Sequence, residues 1–291
     1  MNKTVGICIG AWSISFVHIE AENNKINITD SSIKITKVQK LIHNGNPQIL
    51  LANFFNDFFC ENSFDENNID TVDTKIVVTG RKFRKFVNLT NISEAEATEY
   101  ALNYIVNKYQ KNDLKNEKYS ALASLGAETF LVYNLAQSKY IANVVSKNKC
   151  AAGTGEFFLQ QIKRMDLSLD DAIKIAENVE PYKVSGRCSV FCKSDCTHAL
   201  NKGVDKSKVT AGLAKMIAEK IEELIREKND GKIILVGGVT KNKVVMDFIK
   251  QNNHNIFIPE EAEYFEALGA ALYVCDTANY NTLRPLKDFL Q

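Results

Sequence analysis

The chain has 291 residues, 45% hydrophobic and 24% charged, with a formal net charge of +1. That length holds one large domain or two ordinary ones, and the near-neutral charge points away from nucleic acid or another polyanion as a partner. No apolar run reaches the ~18 residues of a membrane helix, and the apolar run within MNKTVGICIG is too short for a secretion signal; the expectation is a cytoplasmic protein with no membrane contact.

Strands are expected first. Lys3 to Ile9 is rich in β-formers and is followed by Gly10, Ser13 to Ala21 alternates, and Lys25 to Ile35 is a third strand candidate. Pro47 to Phe59 has helical periodicity with proline at its start. Thr74 to Gly80 reads as a short buried strand, and Ser93 to Tyr109 as a helix with a capping box from Ser93 to Glu96. The polar run Lys111 to Tyr119 is the expected linker. The pattern then restarts with Ser120 to Gly126, Glu128 to Leu135 and Lys139 to Ser146, so that strand–glycine–strand–strand occurs twice. Beyond it the chain turns helical: Gly155 to Met165, Ser168 to Asn178 with Ser168 as cap, Ser189 to Lys202 closed by Gly203, and Val209 to Lys228. Lys232 to Gly238 is a buried strand, followed by a helix through VVMDFIKQN, a short strand NIFIP and a terminal helix YFEALGAALYVC. The sum is an α/β protein of two strand-first lobes.

Glycine ends three strands, at Gly10, Gly126 and Gly237–Gly238, and a further pair, Gly153 and Gly155, precedes a helix. Such turns are either ordinary reversals or cradles whose N–H groups bind phosphate. None fits GxxxxGK[ST] or GxGxxG, so a nucleotide site would be of another type. The seven cysteines are Cys8, Cys60, Cys150, Cys188, Cys192, Cys196 and Cys275. Their odd number argues against a disulfide scaffold and for metal or redox chemistry in any cluster. Three of them crowd into CSVFCKSDC, four apart, which places them along one helix stripe. Cys150, in NKCAAGTGEFFLQQI, is either a small buried residue or a ligand.

These stretches, NKCAAGTGEFFLQQI, SGRCSVFCKSD, IILVGGVTKN and EALGAAL, resemble in order and spacing the activator ATPases of 2-hydroxyacyl-CoA dehydratases and benzoyl-CoA reductases. The resemblance runs over Ser120 to Ala271 and is weaker in the N-terminal lobe. It implies two ribonuclease-H-like lobes with a nucleotide cleft, the architecture of the sugar kinase, heat-shock chaperone and actin superfamily. The expected lobes are 1–112, with a C-terminal helix at about 264–276 packing back on it, and 119–263. It implies ATP or ADP with magnesium, bound through Gly10, Ala11, Gly126, Ala127, Gly153, Thr154, Gly155, Gly237, Gly238 and Asn242. It implies a homodimer sharing one [4Fe-4S] cluster, two thiolates from each chain, which map to Cys150 and Cys188. It further implies a dehydratase or reductase component that receives a low-potential electron, and a donor such as ferredoxin or flavodoxin. Four thiolates suit such a cluster, and helix N-termini stabilise thiolate.

Two departures bear on hydrolysis. The family's first phosphate turn carries aspartate where this chain has Cys8, and its second turn carries aspartate where this chain has Ser124. Those carboxylates would hold magnesium and position water. The acids left for that work are Glu128, in the second turn, and Glu94, with Glu96 and Glu99, on the preceding helix. Three readings stand: an ATP-coupled iron–sulfur activator, a nucleotide-binding subunit that does not hydrolyse, and a sugar-type kinase. The cysteine pair argues against the last.

Overall fold

The computed structural model describes residues 2–21, 33–61, 74–81, 87–110, 118–137, 139–145, 154–226, 231–252, 255–276 and 281–282. In chain order the elements are β1 (Asn2–Ile9), β2 (Ser13–Ala21), β3 (Ile33–Ile42), α1 (Pro47–Glu61), β4 (Thr74–Thr79), α2 (Glu94–Gln110), β5 (Tyr119–Leu125), β6 (Phe130–Ala136), β7 (Tyr140–Val145), α3 (Gly155–Arg164), α4 (Leu169–Ala176), α5 (Ser189–Asn201), α6 (Lys206–Ile225), β8 (Lys232–Val236), α7 (Lys243–Gln251), β9 (Ile256–Phe257), α8 (Phe265–Asp276) and β10 (Asn281–Thr282). They form two compact units, Met1–Asn116 with Tyr264–Gln291, and Glu117–Glu263.

The first unit is built on a sheet of order β10-β4-β1-β2-β3. β1 runs antiparallel to β2 and parallel to β4. It is buried on both faces, with Val5, Ile7 and Ile9 enclosed on one and Thr4 and Gly6 on the other, as a central strand requires. β3 is one of the two edge strands, and its exposed lysines Lys37 and Lys40 disfavour edge-to-edge pairing. Helix α8 belongs to this unit, packing on α2, β1, β2 and β4. Its small residues permit that: a Cβ on Gly269 would stand 1.7 Å from the Ala97 carbonyl oxygen. The Thr4 hydroxyl donates to the Ala271 carbonyl at 3.2 Å and joins β1 to the same helix.

The second unit repeats the plan with order β7-β6-β5-β8-β9. β5 is antiparallel to β6 and parallel to β8, as β1 is to β2 and β4. Four strands in one order, with the second reversed, give each unit a ribonuclease-H-like sheet. The fifth position differs: β9 runs parallel to β8, whereas β10 runs antiparallel to β4. Helix α6 is the long buried helix of this unit, with twelve buried residues from Val209 to Ile225.

Local signals are where the sequence placed them in α2 and α4. The Glu96 N–H donates to Ser93 Oγ at 3.1 Å, and the Asp171 N–H to Ser168 Oγ at 3.1 Å. Four expectations are corrected. The third strand continues past the expected Lys25 to Ile35 as far as Ile42, being described from Ile33; residues 25–32 lie outside the described residues. The stretch beyond Ile35 is Lys-rich, as suits an edge strand, so apolar alternation does not announce it. Tyr119 does not belong to the linker: it opens β5 and is 1% exposed, filling the core with its ring. Helix α6 starts three residues before Val209, because Asp205 caps it by accepting the Ser207 N–H at 2.7 Å. The short strand β10 has no counterpart among the expected elements.

Candidate functional site

Each unit carries the same hairpin turn. In the first, the Gly10 N–H donates to the Ser13 carbonyl at 3.0 Å; in the second, the Gly126 N–H donates to the Thr129 carbonyl at 3.1 Å. Beside each turn a glycine ends the neighbouring parallel strand in a left-handed conformation, Gly80 at φ +124° and Gly237 at φ +96°. A Cβ on Gly80 would stand 2.3 Å from the Ile9 carbonyl oxygen, and one on Gly237 2.5 Å from that of Leu125. The two turns are thus equivalent down to the glycine that abuts them. In the sequence Gly80 signals only the end of a strand, so its place beside the turn is not legible there.

In the second unit the candidate residues gather. The Gly155 N–H donates to the Gly126 carbonyl at 3.4 Å and the Glu156 N–H to that of Ala127 at 2.9 Å, so the first turn of α3 is seated on the hairpin. Thr154 caps α3, its hydroxyl oxygen accepting the Phe157 N–H at 3.4 Å. Val239 completes the contact, its Cγ2 2.9 Å from where a Gly155 Cβ would be. Gly126, Ala127, Thr154, Gly155 and Gly237 therefore form one backbone-lined patch at the N-terminus of α3, whose first amides are spent on the hairpin carbonyls and on Thr154. Gly238 opens a 3-10 turn over Gly238–Lys241, held by the Thr240 N–H and hydroxyl on the Gly237 carbonyl at 3.1 and 2.7 Å. Asn242 is 5% exposed and serves its own helix, where its Oδ1 accepts the Val245 N–H at 3.3 Å and caps α7. Glu128 lies half-buried within the hairpin turn itself. Gly153 and Cys150 lie outside the described residues.

In the first unit, Gly10 and Trp12 are held by a residue that no sequence motif marks, on either side of Ala11. His43 is 5% exposed, its Nε2 3.1 Å from the Gly10 carbonyl oxygen and its backbone N–H on the Trp12 carbonyl at 3.2 Å. Glu94 is half-buried and pairs with Arg81, whose Nε donates to its Oε2 at 3.0 Å. Burial pushes the Cys8 thiol well above its ordinary range, the carboxylates of Glu266 and Glu94 push the same way, and Lys40 opposes them. At neutral pH the group at this position is therefore an uncharged thiol, which cannot supply a carboxylate's charge to magnesium. Among the described residues no group of three or more His, Cys, Asp or Glu is placed to hold a metal ion.

The cysteine stripe divides by depth. Cys192 and Cys196 are buried in the second unit's core among α6 residues. A hydrogen bond from Cys192 lowers the Cys196 pKa, with burial opposing it. Cys188 is half-buried at the N-cap of α5 and makes no side-chain capping bond. Val190 and Phe191 beside it are 70% and 64% exposed. The turn before it is fastened by the Ser185 N–H on Asp195 Oδ2 at 2.9 Å. The Cys188 thiol is thus a half-buried group at a helix N-terminus on a braced turn.

The sequence profile of the BadF/BadG/BcrA/BcrD ATPase family matches residues 46–274, well over half of the chain. The chain belongs to that family. Among curated relatives of this BadF/BadG/BcrA/BcrD-type chain, the 2-hydroxyisocaproyl-CoA dehydratase activator of Clostridioides difficile is 26% identical over 208 residues, 70% of this chain and 74% of the relative. The (R)-2-hydroxyglutaryl-CoA dehydratase activating ATPase of Acidaminococcus fermentans is 30% identical over 136 residues, 46% of this chain and 52% of the relative. The match thus spans only about half the length of that second relative. Of solved structures, the activator of the 2-hydroxyisocaproyl-CoA dehydratase from Clostridium difficile with bound ADPNP has a TM-score of 0.73 at 21% identity, over 94% of both chains. The ethanolamine utilization protein EutJ from Carboxydothermus hydrogenoformans has a TM-score of 0.54 at 11% identity, over 94% of this chain and 90% of that one. The family match bears out the family resemblance, and the two structures share this chain's α/β fold. Among the described residues, no helix is long and apolar enough to cross a membrane.

Proposed function

We propose that the chain is an ATP-coupled activator that donates a low-potential electron to a 2-hydroxyacyl-CoA dehydratase or a benzoyl-CoA reductase-like partner. The observation that carries this reading is the family match through residues 46–274. The duplicated hairpin turns with their abutting glycines support it, because they are rigid backbone surfaces of the kind that holds phosphate. In this reading Gly126, Ala127, Thr154, Gly155 and Gly237 of the second unit are nucleotide-binding residues, as are Gly10 and Ala11 of the first. Gly153, Gly238 and Asn242 complete the set, and Glu128 or Glu94 orients the attacking water. Cys150 and Cys188 of each chain in a homodimer supply the four thiolates of a [4Fe-4S] cluster. That cluster, when bound, provides one-electron chemistry at low potential. The chain's own part is to hold the Cys188 sulfur at the N-terminus of α5 and to present Val190 and Phe191 as an apolar surround that limits water. A ferredoxin or flavodoxin type of protein reloads it.

A second reading has an observation of its own. With an uncharged thiol at Cys8 and a hydroxyl at Ser124 where carboxylates would hold magnesium, the chain binds nucleotide without turning it over. One anaerobic preparation separates the two. The activator reading expects protein-bound iron, a visible cluster absorption lost in Cys150→Ala and Cys188→Ala, and ATP turnover by the reduced dimer. Bound nucleotide with no turnover selects the second reading, and a colourless iron-free protein refutes the cluster.

A further inference from the structure

We propose that His43 is a positioning residue for the first turn, setting the direction of the Ala11 N–H so that it can donate to a phosphate oxygen. The inference rests on the proposed nucleotide reading and adds a residue to it.

His43 Nδ1 lies 3.1 Å from the Gly45 backbone nitrogen, which can only donate, so Nδ1 accepts and the ring hydrogen sits on Nε2. Nε2 then donates to the Gly10 carbonyl oxygen, 3.1 Å away. The ring is buried, so water does not compete for this bond. No cis peptide bond occurs among the described residues. In a planar trans peptide the carbonyl and the following N–H point in opposite directions. Fixing the Gly10 carbonyl on the imidazole therefore turns the Ala11 N–H away from it.

The second unit makes the same arrangement by other means. There the Gly126 carbonyl accepts the Gly155 N–H, at 3.4 Å, and the Ala127 N–H is turned away in the same sense. The two hairpins are pinned at the equivalent carbonyl, by a backbone amide of α3 in one and by a side chain in the other. A role shared by two equivalent turns through unrelated groups is more than local packing. It also means that only the first turn can be released by a side-chain substitution.

The test uses the full chain and magnesium with the non-hydrolysable analogue ADPNP, its dissociation constant read by calorimetry. Glutamine places its amide nitrogen near the position of Nε2, and asparagine its amide oxygen near that of Nδ1. His43→Gln keeps the Gly10 bond alone, and His43→Asn the Gly45 bond alone. The expected result is near wild-type affinity for His43→Gln and an affinity about tenfold weaker for His43→Asn and His43→Ala, the scale of one buried hydrogen bond. If His43→Ala does not fold, the Gln and Asn variants decide. Equal affinity in those two variants, or stronger binding by His43→Asn, overturns the inference. Wild-type protein that binds no ADPNP overturns the nucleotide reading itself, and this inference with it.

Discussion

Gly237→Ala tests the geometry of the second turn most directly. Gly237 has φ +96° and ψ 170°, a region that only glycine occupies freely, and forcing alanine there costs about 1–3 kcal/mol. The added methyl would meet three backbone atoms of Leu125, at 2.5, 2.8 and 2.9 Å. Those atoms belong to the end of a central strand and cannot rotate aside as a side chain would, so overpacking adds about 1–3 kcal/mol. The sum, roughly 2–6 kcal/mol, is a large part of the 5–15 kcal/mol that holds a domain together. Gly203→Ala is the control. It has φ +80° but nothing within 4 Å of its Cβ, so only the conformational part remains, about 1 kcal/mol. Urea unfolding of both variants, followed by far-UV circular dichroism, gives the two costs, and their difference combines the contact with Leu125 and the less accessible backbone region of Gly237. Gly80→Ala, with its Cβ 2.3 Å from the Ile9 carbonyl, should fall with Gly237→Ala. If Gly237→Ala costs no more than Gly203→Ala, the seating of Gly237 on the hairpin is wrong.

Cys8 gives a pH dependence with a definite sign. Its folded-state pKa is raised, so its contribution to stability is whole below the ordinary thiol value of 9.0 and is lost as pH climbs beyond it, where the unfolded chain ionises first. Wild type should therefore lose thermal stability between pH 8 and about 10.5 more steeply than Cys8→Ser, whose hydroxyl does not titrate there; parallel curves would contradict the burial of this thiol. Phe191→Asp replaces a side chain 64% exposed, so the unfolding free energy should change by less than about 0.5 kcal/mol. In the homodimer reading it nevertheless shifts the molecule to monomer in light-scattering chromatography. A dimer that survives the change would place the subunit seam elsewhere.

The sequence alone determined the elements whose cause is local. Ser93 and Ser168 cap the helices expected of them, because a hydroxyl and an amide three residues apart need nothing else. The doubled strand–glycine–strand pattern and the motifs around Cys150 and Cys188 carried the family, since order and spacing are properties of the chain. What the tertiary structure decided depends on neighbours distant in sequence. Cys188, Cys192 and Cys196 are alike in the sequence, and only the packing of α5 against α6 buries the last two and leaves the first half-buried. Gly80 and Gly237 became equivalent only when parallel pairing set each against the strand that precedes a hairpin. His43 carries no motif; it gained a role because the edge strand β3 returns the chain to the Gly10 turn, with Ser13 paired to Ile42. Periodicity and capping act within a few residues of sequence, whereas the environment of a thiol or the direction of a peptide group is set by whatever the fold brings beside it.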